Sequence, residues 1–196
     1  MNPRAWLLPV LLVALAMPAA AQQIVFTAFL DGPSESPPNA SPGTGFARVT
    51  WDMAANTMRV ETDFSGLIAG VTAAHIHVIN GPGDGNTSDT VGPVATQLPT
   101  FPGFPSGVTA GSYDATFDMT LASSYNTNWI NNSGGTVAQA RAQLFAGLID
   151  GRAYLNIHTQ QFPGGEIRGF LAAVPGPAAA LAFLAPLCRL RRRRRR

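Results

Sequence analysis

Residues 57–64, TMRVETDF, alternate one by one: Met58, Val60, Thr62 and Phe64 on one side, Thr57, Arg59, Glu61 and Asp63 on the other. That period of two belongs to a strand with one face buried and one wet. It recurs in 113–121 (YDATFDMTL), where Tyr113, Ala115, Phe117, Met119 and Leu121 share a face. Between such runs lie stretches that no helix tolerates, above all 31–43 (DGPSESPPNASPG), because proline lacks a backbone donor and glycine favours turns. Strands are expected at 24–30, 45–51, 57–64, 71–79, 92–98, 113–121, 152–158 and 166–172, with 45–51 and 57–64 forming a hairpin around 52–56. Short strands, turn-rich links and no internal repeat predict a mostly β fold, a β-sandwich.

One stretch breaks the rhythm. In SGGTVAQARAQLFAGLIDG, Thr136 and Gln139 have capping-box spacing, Val137, Ala140, Leu144 and Leu148 recur at helical intervals, and Gly151 suits a stop. A single short amphipathic helix is expected over 137–149.

The ends differ in kind from the body. The chain opens MNPRAWLLPVLLVALAMPAAAQQ, an early arginine, an apolar run and an Ala-x-Ala step, the parts of a secretory signal peptide with cleavage expected near Ala21. It closes VPGPAAALAFLAPLCRLRRRRRR, where Ala178 to Leu187 is apolar and Arg189 with Arg191 to Arg196 supplies seven positive charges. Such a cluster stops translocation and stays on the cytoplasmic side. Motif, apolar run and arginine cluster in this order resemble the PEP-CTERM sorting tails of bacterial proteins, with Pro-Gly-Pro where that family has Pro-Glu-Pro. The likeness implies processing by an exosortase-type membrane enzyme. The organisation expected is a signal peptide at 1–21, a body at 22–173 and a sorting or anchor tail at 174–196.

The body holds five arginines against eleven acids, a net charge of −6, and no lysine occurs anywhere. An acidic body argues against nucleic acid as a partner. Cys188, the sole cysteine, lies in the tail, so the body has neither a disulfide nor a cysteine metal site.

The chemistry-bearing residues concentrate in two strands. In 73–81 (AAHIHVING), His75 and His77 share one strand face while Ala74, Ile76 and Val78 share the other. In the closing hairpin, antiparallel pairing sets His158 opposite Glu166, Asn156 opposite Arg168, and Tyr154 opposite Phe170. Two readings follow. In one, His75, His77 and His158 join Asn156, Glu166 and Arg168 in a hydrogen-bonded polar network that fixes strand register. In the other, the three histidines bind copper or zinc, provided that 152–158 neighbours 71–79, with Glu166 orienting His158. The acidic and basic partners at hand favour the network. Asp84, Asn86 and Asp89, in DGNTSD, offer oxygens at a calcium-loop spacing without the distant bidentate glutamate. No Gly-x-Ser-x-Gly or other nucleophile motif is present, which argues against a hydrolase.

The segments TAFLDGPSESPP, GLIAGVTAAHIHVINGPGDGN and GRAYLNIHTQQFPGGEIRGFL, in this order, resemble the CHRD domain, named after chordin and frequent in bacterial secreted proteins. The resemblance covers roughly residues 24–172 and implies an extracytoplasmic β module. The H-x-H strand, and a later Gly-Arg strand ending in histidine, are also similar to the copper-ligand strands of copper–zinc superoxide dismutases. By that likeness His75, His77 and His158 are copper ligands. The departures are the absence of any histidine between 77 and 158, the missing cysteine pair, and a Gly151-Arg152 to His158 spacing one residue longer. Together the likenesses imply a Greek-key sandwich, immunoglobulin-like or superoxide-dismutase-like. The function expected is an exported, surface-anchored, non-catalytic binding or matrix module of the bacterial envelope, with extracellular polysaccharide or envelope proteins as partners. The alternative is a copper-binding redox protein using His75, His77 and His158.

Overall fold

A computed structural model describes residues 23–84 and 90–175. The expected signal peptide, nearly all of the expected tail and two of the calcium-loop residues, Asn86 and Asp89, lie outside them. Among the described residues no helix is long and apolar enough to cross a membrane.

The strands are β1 (Gln23–Asp31), β2 (Thr44–Asp52), β3 (Thr57–Ser65), β4 (Val71–Val78), β5 (Gly111–Asp118), β6 (Ala153–Thr159), β7 (Ile167–Phe170) and β8 (Ala172–Ala173). They form one curled antiparallel sheet in the order β4-β6-β7-β1-β2-β3-β5, with β8 beside β1. Long registers hold β1 to β2 and β2 to β3, whereas β1 meets β7 at the single pair Asp31 and Arg168. That narrow junction separates two arms, β1-β2-β3-β5 and β4-β6-β7, and one core draws on both. Phe26, Leu30, Val49, Trp51 and Val60 enter it from the first arm, and Ala74, Ile76, Val78, Leu155, Ile157 and Ile167 from the second. The chain crosses between arms by a short link from β3 to β4 and returns by a long one from β4 to β5, the kind of long return connection seen in Greek-key folds. The result is the expected mostly β, sandwich-like architecture.

The alternation of 57–64 is realised as expected, with Met58, Val60, Thr62 and Phe64 buried and Arg59 and Asp63 exposed. The helix over 137–149 also forms, as α2 (Val137–Ile149). Thr136 caps it, its hydroxyl accepting from the Gln139 amide at 3.3 Å and donating to the Gln139 side chain at 2.7 Å.

Two expectations require correction. The helix is not single: α1 (Thr127–Asn132) precedes it, capped by Asn126, whose side chain accepts from the Asn128 amide at 3.0 Å. A 3₁₀ turn at Ala122–Ser124 leads into that cap. Six residues rich in asparagine carry almost no helical periodicity, yet burying Trp129 holds the turn in place.

The expected strand at 92–98 is also not formed; only Val94 bridges to His77. Pro93 and Pro99 cannot donate to a ladder, so the segment runs along the open edge of β4 and satisfies it piecemeal. Val78 donates to the Pro93 carbonyl and Phe101 to that of Ala74, while the hydroxyls of Thr96 and Thr100 accept from Ile76 and Ala74. The edge is thereby covered without a partner strand.

Candidate metal centre

The polar face of β4-β6-β7 carries His75 and His77 from β4 and Tyr154, Asn156 and His158 from β6. Strand β6 pairs with β4 so that His75 faces Asn156 and His77 faces Tyr154. On its other side β6 pairs with β7, Asn156 to Arg168 and Tyr154 to Phe170, the expected register. Two loops close over this face, 32–43 and 90–101. Arg168 ties them down, donating to the carbonyls of Ser34 and Thr90, and Ser36 hydrogen-bonds Thr90 at 3.0 Å.

The loops also orient the imidazoles. His75 Nε2 donates to the Pro99 carbonyl at 2.8 Å, His77 Nδ1 to that of Gly92 at 2.9 Å, and His158 Nδ1 to that of Pro163 at 2.9 Å. A carbonyl only accepts, so each contact places the ring proton on the nitrogen that makes it. The other nitrogens, His75 Nδ1, His77 Nε2 and His158 Nε2, are buried and have no hydrogen-bond partner. One ligand nitrogen from each ring lies within 4.8 Å of the other two. Burial, then the neighbouring His158, holds the His75 pKa down to about 4; burial holds His77 at about 3 and lowers His158. All three rings are therefore neutral near pH 7, and each keeps one buried nitrogen with a free lone pair.

That arrangement fits a transition-metal ion. A backbone carbonyl on the distal nitrogen is the common second contact of a metal-binding histidine, fixing tautomer and ring direction. Nitrogens no more than 4.8 Å apart need move inward by less than about 1 Å to make bonds of about 2.0–2.1 Å to one ion. Three nitrogens with no hydrogen-bond partner are otherwise a cost, since a buried lone pair left unmet forfeits solvation.

The supporting residues are placed differently from the expectation. Among the described residues the imidazoles share no hydrogen bond with Asn156, Glu166 or Arg168. Glu166, fully buried, accepts from Ser41 Oγ at 2.6 Å, the Ile68 amide at 2.6 Å and Thr159 Oγ1 at 2.7 Å. It anchors the 32–43 loop and the approach to β4; Pro163, not Glu166, orients His158. Arg168 reaches the site through an aromatic stack, its guanidinium 4.9 Å from the centre of the Tyr154 ring. That ring lies 4.9 Å from His77 at an interplanar angle of 11°. Asn156 donates to the Gly164 carbonyl at 3.4 Å. Asp84, the described member of the calcium-loop set, accepts from the Asn80 amide at 2.7 Å.

Sequence reasoning missed two participants. Tyr154 shares strand parity with Asn156 and His158, so its place against His77 was open to inference once β6 was set beside β4. Glu35, in the SESPP loop, is buried with Oε2 3.8 Å from Arg168 Nε and Oε1 unpartnered. Burial pushes its pKa up to about 7 against the pull of Arg168. No local pattern marks a loop acid for burial.

The family model of the CHRD domain matches residues 26–171. No curated protein matches the chain.

Proposed function

The chain belongs to the CHRD domain family, and from that premise we propose that it is a non-catalytic binding module whose ligand is a copper or zinc ion held by His75, His77 and His158. The reading is carried by one observation: three neutral imidazoles, each locked by a backbone carbonyl and each with a buried, unpartnered nitrogen, bring ligand nitrogens within 4.8 Å of one another. A purely cohesive histidine network would pair those nitrogens with protein donors. Titration of the purified protein with copper and zinc tests the reading. One equivalent bound at submicromolar affinity, raising the Tm and abolished by His77→Ala, is expected; no stoichiometric binding overturns it.

The proposal extends to location. The signal-like start and the three-part tail support an exported module held at a bacterial envelope and processed by an exosortase-type enzyme. Extracellular polysaccharide or envelope proteins are its proposed surroundings. Deleting 174–196 should move the protein from membrane to medium; unchanged membrane retention argues against the anchor, and cytoplasmic accumulation against export.

A further inference from the structure

We infer that the three-histidine centre selects monovalent copper, Cu(I), over Cu(II) and Zn(II). This rests on reading the histidines as a metal centre, and it concerns the charge that such a centre accepts.

The donor set is neutral. Each ring spends its proton on the carbonyl of Pro99, Gly92 or Pro163 and brings a lone pair without charge. Among the described residues the cluster contains no carboxylate or thiolate. The two buried acids are committed elsewhere: Glu166 to Ser41, Ile68 and Thr159, and Glu35 to the neighbourhood of Arg168. The ionised Glu35–Arg168 pair adds no net negative charge, and protonation of Glu35 leaves Arg168 as a cation against the face of Tyr154.

The site is also dry. His75 and His77 are 6% and 7% exposed, and the free nitrogen of His158 is buried although the residue as a whole is only half-buried. The cost of moving an ion from water into such surroundings grows with the square of its charge, so a divalent ion loses about four times what a monovalent one loses. Divalent sites commonly offset that loss with carboxylate, thiolate or bound hydroxide.

Coordination number argues the same way. Zn(II) takes four ligands and Cu(II) tetragonal sets of four or more, whereas three nitrogens complete a low-coordinate Cu(I). Between the divalent ions, nitrogen sites favour Cu(II), so the decisive comparison is between the oxidation states of copper.

The full chain is titrated anaerobically with Cu(I) against a chromogenic Cu(I) chelator. Parallel titrations use Zn(II) against a zinc-specific dye and Cu(II) followed by its paramagnetic resonance. One Cu(I) per chain, bound at least about a hundredfold more tightly than Cu(II) and retained against a tenfold excess of Zn(II), is the expected result. That ratio raises the potential of the bound couple by about 120 mV, at 59 mV per tenfold for one electron. Cu(II) or Zn(II) binding as tightly as Cu(I) overturns the selectivity while leaving the metal reading intact. Failure of every ion to bind stoichiometrically overturns both. His75→Asp, which places a carboxylate in the donor set, should shift the preference toward divalent ions by at least about tenfold; an unchanged ratio in the folded variant counts against the charge argument.

Discussion

Two polar sheet faces in this molecule look alike in the sequence and differ in nearly everything else. On β2-β3-β5, Arg59 pairs with Asp114 at 2.6 Å and with Glu61 at 3.1 Å, and Arg48 approaches Glu61 at 4.0 Å, all on a face open to water. On β4-β6-β7, Arg168, Asn156 and the histidines alternate with core residues in the same period of two, but loops 32–43 and 90–101 lie over them. Alternation reports which residues share a face. It does not report what covers that face, and the cover decides whether a charge is an ornament or a commitment.

The sharpest way to break the contrast is to remove one arginine from each face. Arg168→Ala strips a buried guanidinium from Glu35 and from the carbonyls of Ser34 and Thr90, and should cost about 3–5 kcal/mol by chemical denaturation. Arg48→Ala, on the wet face, should cost about 1 kcal/mol or less. Equal losses would mean that the loops do not exclude water from the covered face.

Metal loading probes the same face next. A saturating ion at one hundred times its Kd should add about 2.7 kcal/mol of stability, removed by a chelator and absent in His77→Ala. Stabilisation that survives His77→Ala would place the ion elsewhere.

Acidity separates the faces more gently. In the metal-free protein, His75 and His77 titrate at about 4 and about 3 when folded, below the ordinary 6.5. Their contribution is full above about 6.5 and lost as pH falls through about 4 for His75 and about 3 for His77. Glu35 is shifted the other way, from 4.5 to about 7, so its contribution is full below 4.5 and lost as pH rises to about 7. Glu35→Gln should therefore gain on the parent protein between pH 5 and pH 8 in denaturation measured along that range. A difference that stays flat would show Glu35 to be wet.

The smallest effect belongs to the open face. Arg59→Ala should cost about 0.2–1 kcal/mol, and the loss should shrink further in high salt, because exposed ion pairs are screened.

Much of the architecture was legible because it is local. The alternation at 57–64, the capping spacing of Thr136 and Gln139, and the register of Asn156 with Arg168 all follow from neighbours in sequence. The meeting of His158 with His75 and His77 was legible as a condition, that β6 lie beside β4, and the fold meets it. What was not legible depends on distant partners. Glu166 pairs on paper with His158 across a hairpin, yet its carboxylate serves Ser41 and Ile68, which no hairpin geometry brings near. Segment 92–98 carries strand-like residues, but Pro93 within it and Pro99 just after it turn this stretch into an edge cover, and the carbonyls of Gly92 and Pro99 hold two of the imidazoles. Nothing in a carbonyl's sequence position distinguishes it, so the orienting contacts of Gly92, Pro99 and Pro163 are visible only in three dimensions.

The adjacency of β4 and β6 sets an order of events on the ribosome. His75 and His77 emerge early, but their third partner and the carbonyl that aims it, His158 and Pro163, arrive only when most of the described chain has been made. A nascent chain that exposes His75 and His77 therefore has two isolated side chains and no centre. If the three imidazoles take an ion as proposed, only the finished polypeptide can load it, and the metal supply of the compartment where the fold is completed sets which ion the protein first meets.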